Sequence, residues 1–397
     1  MKTLYLAIFL TLCLPCAEAA RIKHVDEITA LPENEAERDL WDVAVGHQDN
    51  IREEDRLVDD ADLEAYLDRV GQRLLGNRLD HLGIRVKFIV VQNNLLSAWV
   101  YPYGTIAVNT GLLAGMENEA QLAAIIGHEL SHFMQRHSYR ELIADKRQSV
   151  IGKGLGILAT AAVASQTGVI DTDLMKAGGL WTDLVTSGYS RKNEHIADAE
   201  GLELLVGAGY DQAQAIRAFE ILKQNSAYGV LSPSLLWSSH PTLDDRLKNL
   251  TKAVKKAERK KGYQAGDIPS SEDYYRAVAT AIRRTGAQDL REQYFERAQT
   301  AFQKYTIAKP DDAQGHFLLA EAYRLDNPDG PDFKARESSY QAAINQKTDY
   351  APAYLELGMV ARQQGQVAAA KQAFTRYLEL SPDTTQADLV RWYLANL

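Results

Sequence analysis

His128 and His132 stand four residues apart in a segment whose apolar residues recur with helical spacing, and that pair limits what this chain can fold into. Asn118 is suited to cap the helix, and Gln121, three positions on, to complete a capping box. Leu122, Ile125, Ile126, Leu130 and Phe133 supply its apolar side. Residues i and i+4 share one helix face, so both imidazoles reach a single ion. In the run His128-Glu129-Leu130-Ser131-His132, Glu129 points to the side of that ion where a water would sit. Zinc makes such a water acidic near neutral pH, and a carboxylate beside it takes the proton as the water attacks a carbonyl. The pattern predicts metal-dependent hydrolysis with Glu129 as the base.

A catalytic zinc needs a third protein ligand and an open fourth position. Cysteine usage narrows the choice. The two cysteines, Cys13 and Cys16, both fall in the first 19 residues. There Lys2, an apolar run over 4–14 and Ala17-Glu18-Ala19 predict a signal peptide, with the mature chain starting at Ala20. Leu12 and Pro15, which precede the cysteines, do not suit lipidation. The mature chain then has no thiol for a disulfide or a metal, so His and carboxylate must hold the ion. Glu194 and Asp198 stand four apart on a second predicted helix. One could bind the metal and the other hold a ligating histidine. The same spacing fits a solvated charged face equally well. The net charge of −9 gives no footprint for nucleic acid. The apolar stretch 149–165 contains Lys153 and is shorter than a membrane span, so it reads as a buried or cleft-covering helix.

Elsewhere the pattern is mainly helical with a small sheet. Residues 59–75 are amphipathic; 84–91 and 98–108 are β-rich, the second broken by Pro102-Tyr103-Gly104 into a turn or edge strand. The basic stretch 246–261 reads as a solvated helix face. A linker rich in Gly, Pro and Ser follows, which places domains at 20–262 and 263–397. In the second, Ala298, Phe302, Tyr305 and Pro310 recur as Arg336, Tyr340, Ala343 and Thr348, then as Ala370, Phe374, Tyr377 and Pro382. This spacing predicts an α-solenoid of tetratricopeptide repeats, with a longer turn at 327–330.

The run Ser190-Arg191-Lys192-Asn193-Glu194-His195-Ile196-Ala197-Asp198, with Gly201 after it, resembles the S-R-x-x-E-x-x-A-D segment of the gluzincin zinc metallopeptidase family that includes HtpX and the CAAX prenyl proteases. Many members carry another Glu where this chain has Ile196. Residues 97–113 resemble the family's edge strand beside the cleft, with Ser97 for a usual Asn and Tyr103 for a usual Gly. Ser239-His240-Pro241 followed by Arg246 resembles its H-P-x-x-x-x-R segment. The resemblance covers about residues 40–250. It implies one Zn2+ on His128, His132 and Glu194, with Asp198 holding a ligand and Glu129 as base. It also implies substrate pairing along Ala98, Trp99, Val100 and Tyr101, and brings His240 and Arg246 to the active site. Three roles stay open for His240: oxyanion donor, fourth ligand that closes the resting site, or packing residue. His195, beside Glu194, should face solvent, and His137 should be structural or support a metal ligand.

The order of domains resembles the periplasmic, repeat-carrying members. That implies a cell-envelope endopeptidase acting on misfolded or stalled outer-membrane proteins, with the repeats recruiting clients or the outer-membrane assembly machinery, and with room for peripheral membrane contact. A periplasmic repeat-containing chaperone or scaffold with a latent or structural zinc is the other reading. Glu129 argues against it, since a structural site has no use for that base.

Overall fold

The computed structural model describes residues 22–152, 189–227, 243–259, 264–328 and 333–397. The expected signal peptide, most of the stretch 149–165, His240 with Pro241, and part of the turn at 327–330 lie outside these residues.

The chain begins with two helices, α1 (Glu35–Glu53) and α2 (Ala61–Leu75). Asn34 and Asp60 cap them by accepting from the backbone N–H of Glu37 and Leu63. Strands β1 (Lys87–Val91), β2 (Ala98–Val100) and β3 (Thr105–Asn109) form one sheet in the order β1-β3-β2. β1 runs parallel to β3, and β2 antiparallel. Tyr101 to Gly104 make the β2–β3 turn, in which Gly104 takes φ 89°, a value that suits a residue without a Cβ. β3, paired on both sides, is buried at all five positions, and its middle residues Ile106, Ala107 and Val108 are apolar in succession for that reason. β2 is left at the edge.

A short α3 (Thr110–Gly115) leads into α4 (Glu119–Met134), the helix that carries the histidine pair. The Asn118 side chain accepts from Gln121 N–H as expected. Gln121 Oε1, however, accepts from Glu117 N–H, one residue earlier than a capping box would have it. Every α4 residue from Ala120 to Met134 is buried, which makes it the central helix of the fold. Around it lie α5 (His137–Gly152), α6 (Arg191–Gly207), α7 (Ala213–Ala227) and α8 (Leu243–Glu258). The basic α8 buries Arg246, Leu250 and Val254 and turns its other face outward.

Helices α9 (Ser271–Ala277), α10 (Ala279–Arg291) and α11 (Phe295–Ala308) follow. They come after residue 262 in the sequence, yet Tyr274, Val278, Ile282, Ala301 and Tyr305 join the same core as Leu67, Ile106 and Ile125. Polar ties reinforce that packing. Lys304 Nζ donates to the carbonyls of Ala114, Gly115 and Met116 at 2.7, 3.2 and 3.1 Å, satisfying acceptors that the end of α3 leaves open. Asn94 Nδ2 donates to Asp289 and Glu292, both at 2.7 Å. Beyond these, α12 (Ala313–Asp326) pairs with α13 (Phe333–Gln346), and α14 (Ala351–Gln363) with α15 (Val367–Leu380). Each pair has its own cluster, around Tyr340 and Phe374. Gly358 lets the Phe374 ring sit where a Cβ would be 2.4 Å away. A last helix, α16 (Ala387–Ala395), covers the end with Val390. The architecture is the expected one, mainly helical with a three-stranded sheet and a run of helix hairpins after it.

Candidate metal centre

Two helices meet without side chains between them. A Cβ on Gly201 of α6 would lie 2.9 Å from His128 N and 3.0 Å from the Gly127 carbonyl carbon of α4. That close approach places Glu194 and Asp198 opposite His128 and His132. Gly201→Ala therefore has to push the helices apart, because backbone cannot swing away as a side-chain tip can. We expect a loss of at least ~2 kcal/mol in urea unfolding, together with weaker binding of any ion at the centre. Wild-type stability in this variant would show that the contact is not tight.

The Nε2 atoms of His128 and His132 are 2.9 Å apart. Glu194 Oε2 is 3.6 Å from the first and Oε1 is 3.4 Å from the second. Two ligands about 2.1 Å from a tetrahedral ion lie about 3.4 Å from each other, so these separations fit one. All three side chains are buried, and among the described residues they alone form a group of three or more His, Cys or carboxylate side chains close enough to hold a metal. The donor set, two imidazoles and a carboxylate with no thiol, suits zinc.

Behind these donors lies a buried charge network. Asp198 Oδ1 is 3.1 Å from His128 Nδ1. Arg246 donates from Nη2 to Asp198 at 2.6 Å, and its Nη1 is 2.9 Å from Glu194 Oε2. Its guanidinium lies over the Phe219 ring, 4.6 Å from the centroid. Arg246 Nη2 is also 3.1 Å from His128 Nδ1, but its shorter contact is to Asp198. We assign the Nδ1 proton to His128, donated to Asp198, which frees Nε2 to face His132 and Glu194. Burial alone would raise Asp198; the charge of Arg246 and the bond to His128 outweigh it and hold the carboxyl well below its usual range. Burial opposes the Arg246 charge, and Asp198 and Glu194 more than restore it. Burial and Arg246 push His128 down, so it stays neutral.

Glu129 is buried beside this cluster, and its Oε1 has no hydrogen-bond partner among the described residues. Burial, and then the nearby Glu194 carboxylate, push it well above the ordinary range. A carboxylate in that condition has a high affinity for a proton.

The four positions expected to meet substrate, the three of β2 and Tyr101 after it, are all buried. Ala98 and Val100 turn into the main core, whereas Trp99 and Tyr101 turn to the α1 side. Tyr101 there stacks on Tyr103 and its hydroxyl meets His47 Nδ1 at 2.9 Å. Ser97, Trp99 and Tyr101 bond to β3, so the backbone groups of Ala98 and Val100 face the open edge. What β2 can offer a substrate is backbone rather than side chain.

Arg246, expected at the site together with His240, lies behind it on Asp198 and Glu194. His195 is exposed, as expected. His24 and His81 are engaged elsewhere, with Glu200 and the Val25 carbonyl. Two further residues lie against His132. The Tyr189 ring stacks on it at 3.9 Å between centroids, with its hydroxyl 2.9 Å from Ser138 Oγ. His137 Nδ1 lies 2.8 Å from His132 Nδ1, and burial, then Arg140, push its pKa down to about 3. Nothing in the sequence marks Tyr189. The sequence reading of His137, as structural or supporting a ligand, did not say which ligand it meets.

Residues 61–254 match the model of peptidase family M48. The chain carries a peptidase family M48 domain. The match runs from the start of α2 into α8 and includes every residue of the cluster above. Among relatives, the chain is 27% identical to a Vibrio cholerae protein over 241 residues, 60% of this chain and 48% of the other. It is 26% identical over 228 residues to the beta-barrel assembly-enhancing protease of Escherichia coli K12, 57% of this chain and 45% of that one. To the mitochondrial metalloendopeptidase OMA1 of Arabidopsis thaliana it is 34% identical over 175 residues, 43% and 32% of the two chains. The chain thus spans about half the length, or less, of these three relatives.

Proposed function

We propose that the chain is a zinc-dependent endopeptidase in which His128, His132 and Glu194 hold one Zn2+ and Glu129 is the general base. The observation that carries this reading is the convergence of three buried donors at ligand spacing, with a fourth buried carboxylate beside them whose oxygen is open. When bound, the ion supplies Lewis-acid polarisation and makes a water acidic. Glu129 takes the proton of the attacking water and hands it to the leaving amine. Asp198 and Arg246 hold His128 and Glu194 in place. The edge backbone of Ala98 and Val100 pairs with an extended stretch of substrate, which favours chains that are unfolded or have loose segments.

The repeats that follow the M48 domain recruit such clients or a partner complex. One relative's name links it to beta-barrel assembly. Together with the signal peptide expected at 1–19, that name supports the reading that this chain works in the periplasm, on misfolded or stalled outer-membrane proteins beside their assembly machinery. Among the described residues no helix is long and apolar enough to cross a membrane.

The test is the zinc content of the purified chain together with cleavage of a permanently unfolded protein. We expect one zinc per chain, cleavage that stops with a chelator, and recovery when zinc returns. Zinc without cleavage would leave a chaperone or scaffold with a structural ion, and absence of zinc would sink the reading.

A further inference from the structure

His132 and His137 are five residues apart. On an unbroken helix such residues point about 140° away from each other. Here the chain does not continue straight. α4 ends at Met134, and Arg136 adopts φ 56°, a left-handed conformation that costs energy for any residue with a Cβ. α5 then starts at His137, with Arg140 N–H donating to the Arg136 carbonyl at 3.0 Å. The reversal brings the His137 ring back onto the histidine pair.

The strained residue is clamped. Arg136 donates from Nε and Nη2 to the two oxygens of Glu37 on α1, at 2.8 and 2.6 Å. Its Nη1 donates to Glu33 at 2.8 Å. Arg136 and Glu37 are both buried, and a two-pronged pair of this kind fixes direction as well as distance. The αL turn and the clamp together set where His137 points.

At 2.8 Å between two ring nitrogens, one must donate and the other accept. The roles follow from the zinc reading above, on which this inference rests. Nε2 of His132 faces Glu194 and His128, so its lone pair must lie there and its proton must sit on Nδ1. His137 Nδ1 is then the acceptor. Nδ1 is also the ring nitrogen of His137 that has a partner among the described residues, since Nε2 has none.

We propose that His137 is a positioning residue of the metal centre: it accepts the Nδ1–H of His132 and so fixes that ring with its Nε2 towards the ion. The two histidines of α4 are therefore supported differently. His128 is held by the carboxylate of Asp198, and His132 by a neutral imidazole. Tyr189, stacked on the His132 ring, fixes its plane.

The experiment measures zinc affinity of the full chain by competition with a chelator of known strength. His137→Leu keeps an apolar side chain of similar size but removes the acceptor. His137→Asn puts Oδ1 close to where Nδ1 was and so restores one. We expect the Leu variant to bind zinc about 10–100-fold more weakly, as when the partner of a ligating histidine is lost, and the Asn variant to recover most of the loss. Leu binding as tightly as wild type, or Asn no better than Leu, overturns the proposal. A wild-type chain that takes up no zinc overturns the metal reading itself, which separates the two failures. If the Leu variant does not fold, nitrogen NMR of the wild-type histidines decides. A proton on Nε2 of His137 supports the assignment, and a proton on Nδ1 overturns it.

Discussion

Glu129→Gln is expected to keep its zinc and its fold while hydrolysis of an unstructured peptide falls by about 10²–10⁴-fold, the usual worth of a positioned base. The amide has almost the shape of the carboxylate, so the buried space it fills does not change. It does not belong to the donor set of His128, His132 and Glu194, so zinc content should stay near wild type. What is lost is the capacity to take a proton. Burial and Glu194 raise the proton affinity of the native carboxyl, and an amide has no counterpart to that. The comparison must be made at equal zinc content, with single-turnover rates on one peptide. An unchanged rate would show that the proton goes elsewhere.

Arg246→Ala should have the largest effect on stability. The guanidinium sits between Asp198 and Glu194, with all three groups buried. Removing one partner of a buried ion pair leaves charge without compensation and costs about 3–5 kcal/mol. Here it leaves two carboxylates in one pocket. Arg246→Lys should recover only part of the loss, because an ammonium does not reproduce the fork that meets Asp198 through Nε and Nη2. Urea unfolding in excess chelator reads the effect without any contribution from bound ion. A variant as stable as wild type would mean that water or rearrangement replaces the arginine at little cost.

The parts of this molecule that were legible in its sequence are those written locally. The α4 cap, its apolar side and the His128/His132 pair lie within one helix and its approach. The break at Pro102-Tyr103-Gly104 announces the β2–β3 turn, and the spacing of Phe302, Tyr340 and Phe374 announces the repeat helices. Glu194 and Asp198 were ambiguous on spacing alone, because the same pattern decorates many solvated helices. The resemblance separated those readings, and the geometry then placed both side chains opposite α4. Which residue His137 meets was not legible, because its direction depends on a left-handed arginine, and no residue type at that position signals the reversal. The depth of α9–α11 in the first core is not written locally, because it rests on contacts such as Lys304 to Ala114, which are 190 residues apart in sequence.

Those contacts also decide how the two ends of the molecule work on one chain. α3 joins β3 to α4, and Lys304 grips its last turn from α11, the helix on which α12 packs. The helix hairpins therefore start from a helix seated in the first core and not from a free linker. If the hairpins capture clients as proposed, the span from the point of capture to the open edge of β2 would be bounded by that seating, like the gap between a vice and a blade. Slack in the captured chain would then determine which of its bonds come within reach.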